Sequence, residues 1–277
     1  TCALPISLDV DDNGHVHVTF FGSKNGNDYA IYHSKSTDGG VTFSTPAKVS
    51  DVQMPNFSAG QGNTTIPGIS KDRIYPSVYM EADHLNGNIY VTWTGNGVTT
   101  KLNQGLDIYF AVSTNGGTSW SNAKVVNDNI DTVGSHQFYS SITIGQDGNI
   151  VLGWYDQRND SVSTTQTQFY IAESFDGGSS FSPGYQVTSV AMDFMTVGLL
   201  NGDFGIGEYT QVLALKDYII PVWTDGRLNN GNLNIYCAFI NRKTMSVESV
   251  RSVNDIAALG SIYPNPADEL VNAEIEL

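Results

Sequence analysis

The sequence predicts an all-β fold, a β-propeller whose blades are four-stranded antiparallel sheets. The first observation behind this prediction is an eight-residue pattern, Ser-x-Asp/Asn-Gly-Gly-x-Ser/Thr-aromatic, which occurs at 36–43, 113–120 and 174–181. Its copies begin 77 and 61 residues apart, and self-similarity at such spacings is typical of repeat architectures. The second observation is that strand-like segments flank each copy in units of four, which is the content of a propeller blade.

The repeated pattern has the chemistry of a tight turn between two strands. An Asp or Asn oxygen can accept hydrogen bonds from backbone N–H groups further along the turn. The paired glycines provide positive φ angles without a Cβ clash. The final aromatic side chain is expected to be buried between neighbouring strands, where it would anchor the turn. The predicted structural residues are Ser36, Asp38, Gly40 and Phe43, then Ser113, Asn115, Gly117 and Trp120, then Ser174, Asp176, Gly178 and Phe181.

This pattern resembles the Asp box, or BNR repeat, of the sialidase-like propellers. The resemblance implies a scaffold role for the three turns and a propeller of six blades, of which this chain would hold about four. Residues 1–253 are therefore expected to form a partial propeller within a longer protein. The first unit is expected to be incomplete, starting at the turn 11–14, and the fourth has no Asp box. One aromatic residue marks the second strand of each unit: Phe20, Trp93, Trp154 and Trp223.

Composition excludes several kinds of partner. The 277 residues include 13 Lys+Arg and 28 Asp+Glu, a net charge of −15. Such a surface repels a phosphate backbone, so a nucleic-acid partner is not expected. No apolar run has the length of about 18 residues that a spanning helix needs, so no membrane span is predicted. The two cysteines, Cys2 and Cys237, do not indicate a disulfide framework, and no cofactor is expected.

The C-terminal part differs from the repeats. Residues 254–260 are interpreted as a linker, and 261–277 open with the segment Tyr263-Pro264-Asn265-Pro266-Ala267. As a plain pattern this is a Pro-rich turn. It also resembles the start of the C-terminal sorting domain of the type IX secretion system. That resemblance implies a secreted or surface-attached protein of a Bacteroidetes-type bacterium, with the secretion machinery as a partner.

Strand parity predicts which face carries function. The first-to-second and third-to-fourth connections of a blade lie on one face, and they are short turns here. The other connections are long, and long loops on a rigid scaffold are where sites are built. We therefore expect the Asp boxes to lie opposite any site. The loop face holds Arg73, His136, Asp156, Arg158, Asp160, Asp203, Glu208, Tyr209, Asp225 and Arg227.

Two of these loops repeat a Trp-x-Asp-x-Arg pattern, at 154–158 and 223–227. Guanidinium groups are well suited to binding a substrate carboxylate in a forked geometry. In that interpretation Arg158, Arg227 and Arg73, with Asp156 and Asp225, bind the substrate. In the other interpretation each Asp–Arg pair holds its own loop in place, and the repetition of the pattern from blade to blade favours this one.

The resemblance to sialidases also suggests catalytic residues. Those enzymes use three arginines on the sugar carboxylate, a Tyr nucleophile with a Glu partner, and an Asp acid/base. The corresponding candidates are Tyr209, Glu208 and Asp203. Neighbouring strand residues point to opposite faces, so Glu208 is poorly placed to pair with Tyr209. The chain also lacks an Arg-Ile-Pro motif; Arg73-Ile74-Tyr75-Pro76 inserts one residue.

No metal site is predicted. The segment at 9–14 begins like a calcium loop, but its twelfth position is Phe20, where such a loop needs Glu. Two functions thus remain open for a carbohydrate-directed propeller. One is an exo-α-sialidase-type glycoside hydrolase. The other is a non-catalytic propeller that binds a glycan, a glycoconjugate or a protein at the cell surface. A triad of arginines with a Tyr–Glu pair would distinguish the first from the second.

Overall fold

The computed structural model describes residues 6–23, 28–54, 66–69, 73–98, 105–129, 135–160, 162–163, 165–196 and 209–252. The predicted linker at 254–260 and the predicted sorting-domain segment at 261–277 lie outside these residues. No helix in the described part of the chain is long and apolar enough to cross a membrane.

Four antiparallel sheets, named blades 1 to 4 in chain order, contain the described strands. Blade 1 contains β1 (Ile6–Val10), β2 (Val16–Ser23), β3 (Tyr29–Ser36) and β4 (Ala47–Asp51). Blade 2 contains β5 (Tyr79–Ala82), β6 (Ile89–Gly95), β7 (Asp107–Ser113) and β8 (Lys124–Val125). Blade 3 contains β9 (Gln137–Ile144), β10 (Ile150–Asp156), β11 (Gln166–Ser174), β12 (Tyr185–Gln186) and the added β13 (Met192–Asp193). Blade 4 contains β14 (Gln211–Ala214), β15 (Tyr218–Asp225), β16 (Asn234–Asn241) and β17 (Ser246–Ser252).

The order of strands within each sheet follows the chain, as in a propeller blade. First strands of successive blades contact one another: β1 contacts β5, β5 contacts β9, and β9 contacts β14. The first strands therefore lie along a common axis, and the fourth strands form the outer edges. Residues 194–196, beyond β13, are helical.

Blade 1 is complete, so the expectation of an unfinished first unit was wrong. Strand β1 pairs with β2 in unbroken register from Ile6 opposite Phe20 to Val10 opposite Val16. Its alternation covers only five residues at the very start of the repeats, a length too short to stand out in the sequence. The alternate residues Ser7 and Asp9 face blade 2, where they accept hydrogen bonds from backbone N–H groups of β5.

Each pair of neighbouring blades shares a buried apolar cluster. One cluster joins blades 1 and 2, a second joins blades 2 and 3, and a third joins blades 3 and 4. The second-strand tryptophans Trp93, Trp154 and Trp223 are fully buried in these clusters, whereas the equivalent Phe20 is half-buried. The only free cysteine among the described residues, Cys237, is buried in β16. In blades 2 and 3 both faces of the second strand are buried, which explains why β6 and β10 are nearly all apolar.

The three repeated turns join the third to the fourth strand of blades 1, 2 and 3, as strand parity predicts. In the first turn, Ser36 Oγ donates to Asp38 Oδ1 (2.7 Å) and accepts from Gly40 N (2.9 Å). Asp38 Oδ1 also accepts from Thr42 N at 2.8 Å. The same three bonds recur in the turns of blades 2 and 3. The polar residues of the pattern therefore act locally, within each turn.

The aromatic anchors act between blades. Trp120 of blade 2 meets His33 of blade 1 edge-on, with ring centroids 5.4 Å apart. Phe181 of blade 3 meets Phe110 of blade 2 in the same way at 5.1 Å. Gly178 has a φ of +82°, and a Cβ atom there would lie 2.4 Å from the Phe110 ring. The turns of blades 2 and 3 thus dock on the third strand of the blade before them.

Phe43 is the exception, and its predicted burial was wrong. It is 47% exposed, while Trp120 and Phe181 are half-buried. Blade 1 has no described sheet before it, so the surface on which its turn would dock is absent from the described residues. The same side of blade 1 carries the exposed apolar residues Ile6, Leu8 and Val10. The anchor is therefore buried only where a preceding blade supplies a surface.

Glu81 on β5 should make stability depend on pH. Burial, with the charge and hydrogen bond of Asp9, raises its pKa from 4.5 to about 7. The folded state therefore keeps a proton on Glu81 that the unfolded chain releases above about pH 4.5. The stability that this proton contributes is complete below that pH and is lost as the pH rises to about 7. The shift corresponds to about 3 kcal/mol, which partial exposure reduces to about 2 kcal/mol. Urea unfolding between pH 4 and 8 should show this fall in wild type and a flatter profile in Glu81→Gln; parallel profiles would contradict it.

Candidate functional site

The long loops lie on the face opposite the repeated turns. Strands β10 and β15 end on this face at Asp156 and Asp225, so both Trp-x-Asp-x-Arg segments occupy equivalent places in blades 3 and 4. Strands β9 and β14 begin on the same face. The candidate site is therefore the loop face of blades 3 and 4.

Asp156 in blade 3 is a buried carboxylate surrounded by donors. Its Oδ2 accepts from Trp154 Nε1 at 2.8 Å, and from Arg158 Nε and Nη2 at 2.9 and 2.7 Å. Its Oδ1 accepts from the backbone N of Arg158 at 2.8 Å. The remaining Nη1 of Arg158 donates to Asp128 Oδ1 at 2.6 Å. Burial alone would lower the pKa of Arg158, but Asp156 and Asp128 raise it above its usual value, so the guanidinium stays charged.

Asp225 in blade 4 repeats this arrangement. Trp223 Nε1 donates to Asp225 Oδ2 at 2.8 Å, and Arg227 Nη2 donates to the same oxygen at 2.6 Å. Each arginine also lies over a tyrosine ring on the neighbouring strand. The guanidinium carbon of Arg158 is 4.4 Å from the Tyr170 ring centroid, and that of Arg227 is 4.1 Å from that of Tyr236. Cation–π contact and ion pairing together hold both side chains along their own blades.

A carboxylate clamp requires guanidinium groups that are free to face a ligand. Arg158 uses both its forked N–H groups on Asp156 and its third on Asp128, so the geometry is that of a loop fixed by its own Asp–Arg pair. Arg227 is held less fully. Its Nη2 donates to Asp225 Oδ2, but among the described residues its Nε is buried with no hydrogen-bond partner, and no second carboxylate pairs with it as Asp128 pairs with Arg158. The repeated pattern is therefore arranged as a loop support, the interpretation that its repetition favours.

A buried polar network connects Asp156 to blade 2. Gln137 Nε2 donates to Asp156 Oδ1 at 3.1 Å, and Gln137 Oε1 accepts from Asn127 Nδ2 at 3.3 Å. Asn127 Nδ2 also donates to Asp107 Oδ1 at 2.9 Å. All four side chains are buried. Since buried polar groups specify a geometry when they are satisfied, this network fixes blade 3 against blade 2 beneath the loop face.

Tyr209, the predicted nucleophile, lies just before β14 on the loop face and is 82% exposed. Glu208 and Asp203, its predicted catalytic companions, lie outside the described residues. The tyrosine near the start of the first strand in blade 3, Tyr139, is different: it is buried at a positive φ of 54°, beside the register shift between β9 and β10.

Arg73, the third predicted ligand for a carboxylate, lies before β5 and is half-buried. Its backbone carbonyl accepts a hydrogen bond from the Tyr139 hydroxyl at 2.7 Å. A cleft beside Tyr139, lined by residues such as Ile74, Leu106 and Phe138, encloses only about 160 Å³. Ligand pockets usually exceed about 300 Å³, so this cleft is too small and too apolar to hold a sugar ring.

The structure adds residues that the sequence patterns did not identify. Asn159 Nδ2 donates to Gln168 Oε1 at 2.6 Å, to the Tyr170 hydroxyl at 3.0 Å and to Gln186 Oε1 at 3.3 Å. The strand register gives one indication of this group, because it pairs Tyr170 of β11 with Trp154 of β10, next to the Trp-x-Asp-x-Arg segment. The contact of Asp128 with Arg158 comes from a loop of blade 2 and carries no sequence signal. We call Asn159, Gln168, Tyr170 and Gln186 the amide patch.

The sequence matches no protein-family model and no curated protein. Solved structures do match the fold. A protein of unknown function from Dyadobacter fermentans has a TM-score of 0.55 at 14% identity, over 90% of this chain and 64% of that one. An α-L-arabinofuranosidase from Lactobacillus brevis has a TM-score of 0.51 at 9% identity, over 89% and 71%. The α-L-arabinofuranosidase Arb93A from Fusarium graminearum has a TM-score of 0.50 at 11% identity, over 90% and 66%.

The chain therefore shares the propeller fold of these neighbours. It spans about two thirds of the length of the two arabinofuranosidases, and less of the Dyadobacter protein. At identities of 9 to 14% the likeness concerns the arrangement of the chain, because one fold hosts many functions.

Proposed function

We propose that this propeller binds carbohydrate at the loop face of blade 3. The observation that carries the proposal is the amide patch, in which planar polar side chains are held in one geometry at the surface. Asn159 is exposed, and Gln168 and Gln186 are partly exposed. Sugar-binding sites need such fixed donors and acceptors for hydroxyl groups, because side chains that are already ordered lose little entropy on binding.

Further bonds fix the patch from below. Gln168 Nε2 donates to Ser189 O at 3.1 Å, and Gln186 Nε2 donates to Thr188 O at 2.8 Å. Both glutamine carbonyl oxygens are thereby turned toward Asn159. The Arg158 side chain lies directly over the Tyr170 ring. Its ion pairs thus position the patch without taking part in binding.

Charge favours a neutral sugar as the ligand. Arg158 sits between two carboxylates, Asp156 and Asp128, so the local charge is negative, and the whole chain carries −15. An anionic sugar would be repelled unless a cation were free to meet it. The two α-L-arabinofuranosidases with the same fold support a carbohydrate ligand in general, without indicating which sugar.

The test is a glycan array probed with the full 277-residue chain, followed by calorimetry with the strongest neutral hit. We expect Asn159→Ala and Gln186→Ala each to weaken binding about tenfold, the effect of one lost hydrogen-bond group. Ser179→Ala, in the repeated turn on the opposite face, serves as the matched control and should leave binding unchanged. Binding only to sialylated glycans, or binding that the two patch variants leave intact, would contradict the proposal.

A glycoside hydrolase is the second candidate, and the exposed Tyr209 favours it. A nucleophilic hydroxyl must be accessible to a substrate, and Tyr209, just before β14, is 82% exposed. Fluorogenic sialoside and arabinofuranoside substrates distinguish the candidates. Turnover that Tyr209→Phe abolishes, with binding retained, would establish a hydrolase. If the protein binds glycans but turns over neither substrate, the carbohydrate-binding function is supported instead.

We further propose export by the type IX pathway, from the resemblance at 261–277. Expression in a Bacteroidetes host of the whole protein that contains this chain tests the proposal. The whole protein should reach the medium or the cell surface, and a variant that ends before residue 261 should stay in the cell. If the whole protein and the shortened variant are distributed equally between the cell and the medium, the proposed export is contradicted.

A further inference from the structure

The turn between β1 and β2 brings one carboxylate and two imidazoles together on the repeated-turn face of blade 1. Asp11 Oδ2 lies 2.9 Å from His15 Nδ1 and 3.2 Å from His17 Nε2. The three atoms all lie within 4.8 Å of one another. In a tetrahedral zinc site with bonds of about 2.0–2.1 Å, neighbouring ligand atoms are about 3.3 Å apart. The two distances from Asp11 Oδ2 to the histidines are thus already close to the spacing of ligand atoms in a metal site.

The turn orients Asp11 for this role. Its Oδ1 accepts from the backbone N–H groups of Asn13 and His15, both at 2.9 Å. Gly14 N donates to the Asp11 carbonyl at 2.9 Å, which closes the turn. One carboxylate oxygen is therefore committed to the backbone, and the other is left to face the two histidines. Outer hydrogen bonds of this kind are what orient metal ligands in proteins.

His33 holds His17 from the side away from Asp11. Its Nε2 lies 3.0 Å from His17 Nδ1, and the two rings stack with centroids 5.2 Å apart. The other nitrogen of His17, Nε2, faces the Asp11 carboxylate at 3.2 Å. A metal ion bound at His17 Nε2 would leave the imidazole proton on Nδ1, where His33 Nε2 can accept it, and an outer partner of this kind orients a histidine ligand.

We infer that Asp11, His15 and His17 bind a Zn²⁺ ion. Two imidazole nitrogens and one carboxylate oxygen are ligand types that zinc prefers, and three protein ligands leave a further position for water. His17 is fully buried, while the side chains of His15 and Asp11 are 28% and 16% exposed. Solvent therefore reaches the site from the His15 side.

The ion would strengthen the contact between blades 1 and 2. His33, the outer partner of His17, also meets Trp120 edge-on, and its ring fills the space where a side chain at Gly117 would lie. Both of these residues belong to the repeated turn of blade 2. A metal ion bound by the first turn of blade 1 would thus be connected, through His17 and His33, to the repeated turn of blade 2. This site lies on the face opposite the amide patch and does not depend on the proposed function.

Titration calorimetry with ZnCl₂ tests the inference on the full chain, produced without a histidine tag and stripped of metal. We expect one Zn²⁺ per chain. Asp11→Asn keeps the oxygen that bonds the backbone, and His15→Ala changes a surface residue, so both variants should fold; circular dichroism checks this. Each should weaken zinc binding at least tenfold, the usual effect on a disturbed metal site.

His84→Ala is the matched control. His84 is an exposed histidine that also pairs with an aspartate, its Nδ1 lying 2.7 Å from Asp12 Oδ1, but it belongs to a different turn. Its removal should leave zinc affinity unchanged, and zinc should raise the Tm of wild type and of this variant alone. Wild-type protein that binds no zinc would show that a proton bridges His17 and Asp11 instead. Equal affinity in wild type, Asp11→Asn and His15→Ala would likewise overturn the inference.

Discussion

Replacing Asp156 with alanine is expected to lower the free energy of unfolding by about 3–5 kcal/mol. The carboxylate accepts hydrogen bonds from the Trp154 indole, from Arg158 and from Gln137, all within the buried base of blade 3. Its loss leaves a buried indole N–H and most of a guanidinium without their acceptor, and unsatisfied buried groups carry the full desolvation cost. Urea denaturation of the variant measures the loss.

Two further variants make this prediction specific. Asp225→Ala removes an acceptor with fewer donors, two from Arg227 and one from Trp223, so its cost should be smaller. Asp128→Ala removes the second ion-pair partner of Arg158. The Asp128 side chain is 41% exposed, and such surface pairs contribute about 1 kcal/mol or less. We expect the loss of unfolding free energy to decrease in the order Asp156→Ala, Asp225→Ala, Asp128→Ala. Equal costs for Asp156→Ala and Asp128→Ala would mean that the pair does not support the loop.

Trp120→Ala is expected to cost about 2–4 kcal/mol, whereas Phe43→Ala should cost about 1 kcal/mol or less. The two residues hold the same position of the same repeated turn. Trp120 packs on the apolar cluster between blades 1 and 2 and meets His33 at 5.4 Å. Phe43 is 47% exposed. Its removal therefore opens no cavity.

The indole nitrogen does not complicate this comparison. Trp120 Nε1 is buried and has no hydrogen-bond partner among the residues that the structure describes, so the stabilisation by Trp120 comes from packing. Chemical denaturation of both variants, with Phe181→Ala as a second docked anchor against Phe110, gives the test. Similar losses for Trp120 and Phe43 would show that the anchors act within their own blades.

The contrast between Trp120 and Phe43 also shows how far sequence patterns reach. Ser, Asp and Gly residues of the repeated turn bond within eight residues of chain, so their positions could be predicted from the pattern. Burial of the aromatic anchor depends on the preceding blade, which no local pattern encodes. The short strand β1 was missed for a related reason, since its five residues become a strand only through pairing with β2.

The candidate site follows the same division. Strand parity placed Asp156 and Asp225 at the ends of β10 and β15 on one face, as observed. Whether their arginines were free could not be read from the pattern, because it depends on where Tyr170 and Asp128 lie. The amide patch arises from side chains of three separate segments, at 159, 168–170 and 186, that only the sheet register brings together.

A crystal structure of the full chain with its tightest neutral oligosaccharide tests the central claim most directly. We predict the sugar on the loop face of blade 3, with its hydroxyl groups bonded to Asn159 and Gln186. Arg158 should remain on Asp156, and Arg227 on Asp225. A sugar bound on the repeated-turn face, or one held by both guanidinium groups after they have left their aspartates, would contradict the account.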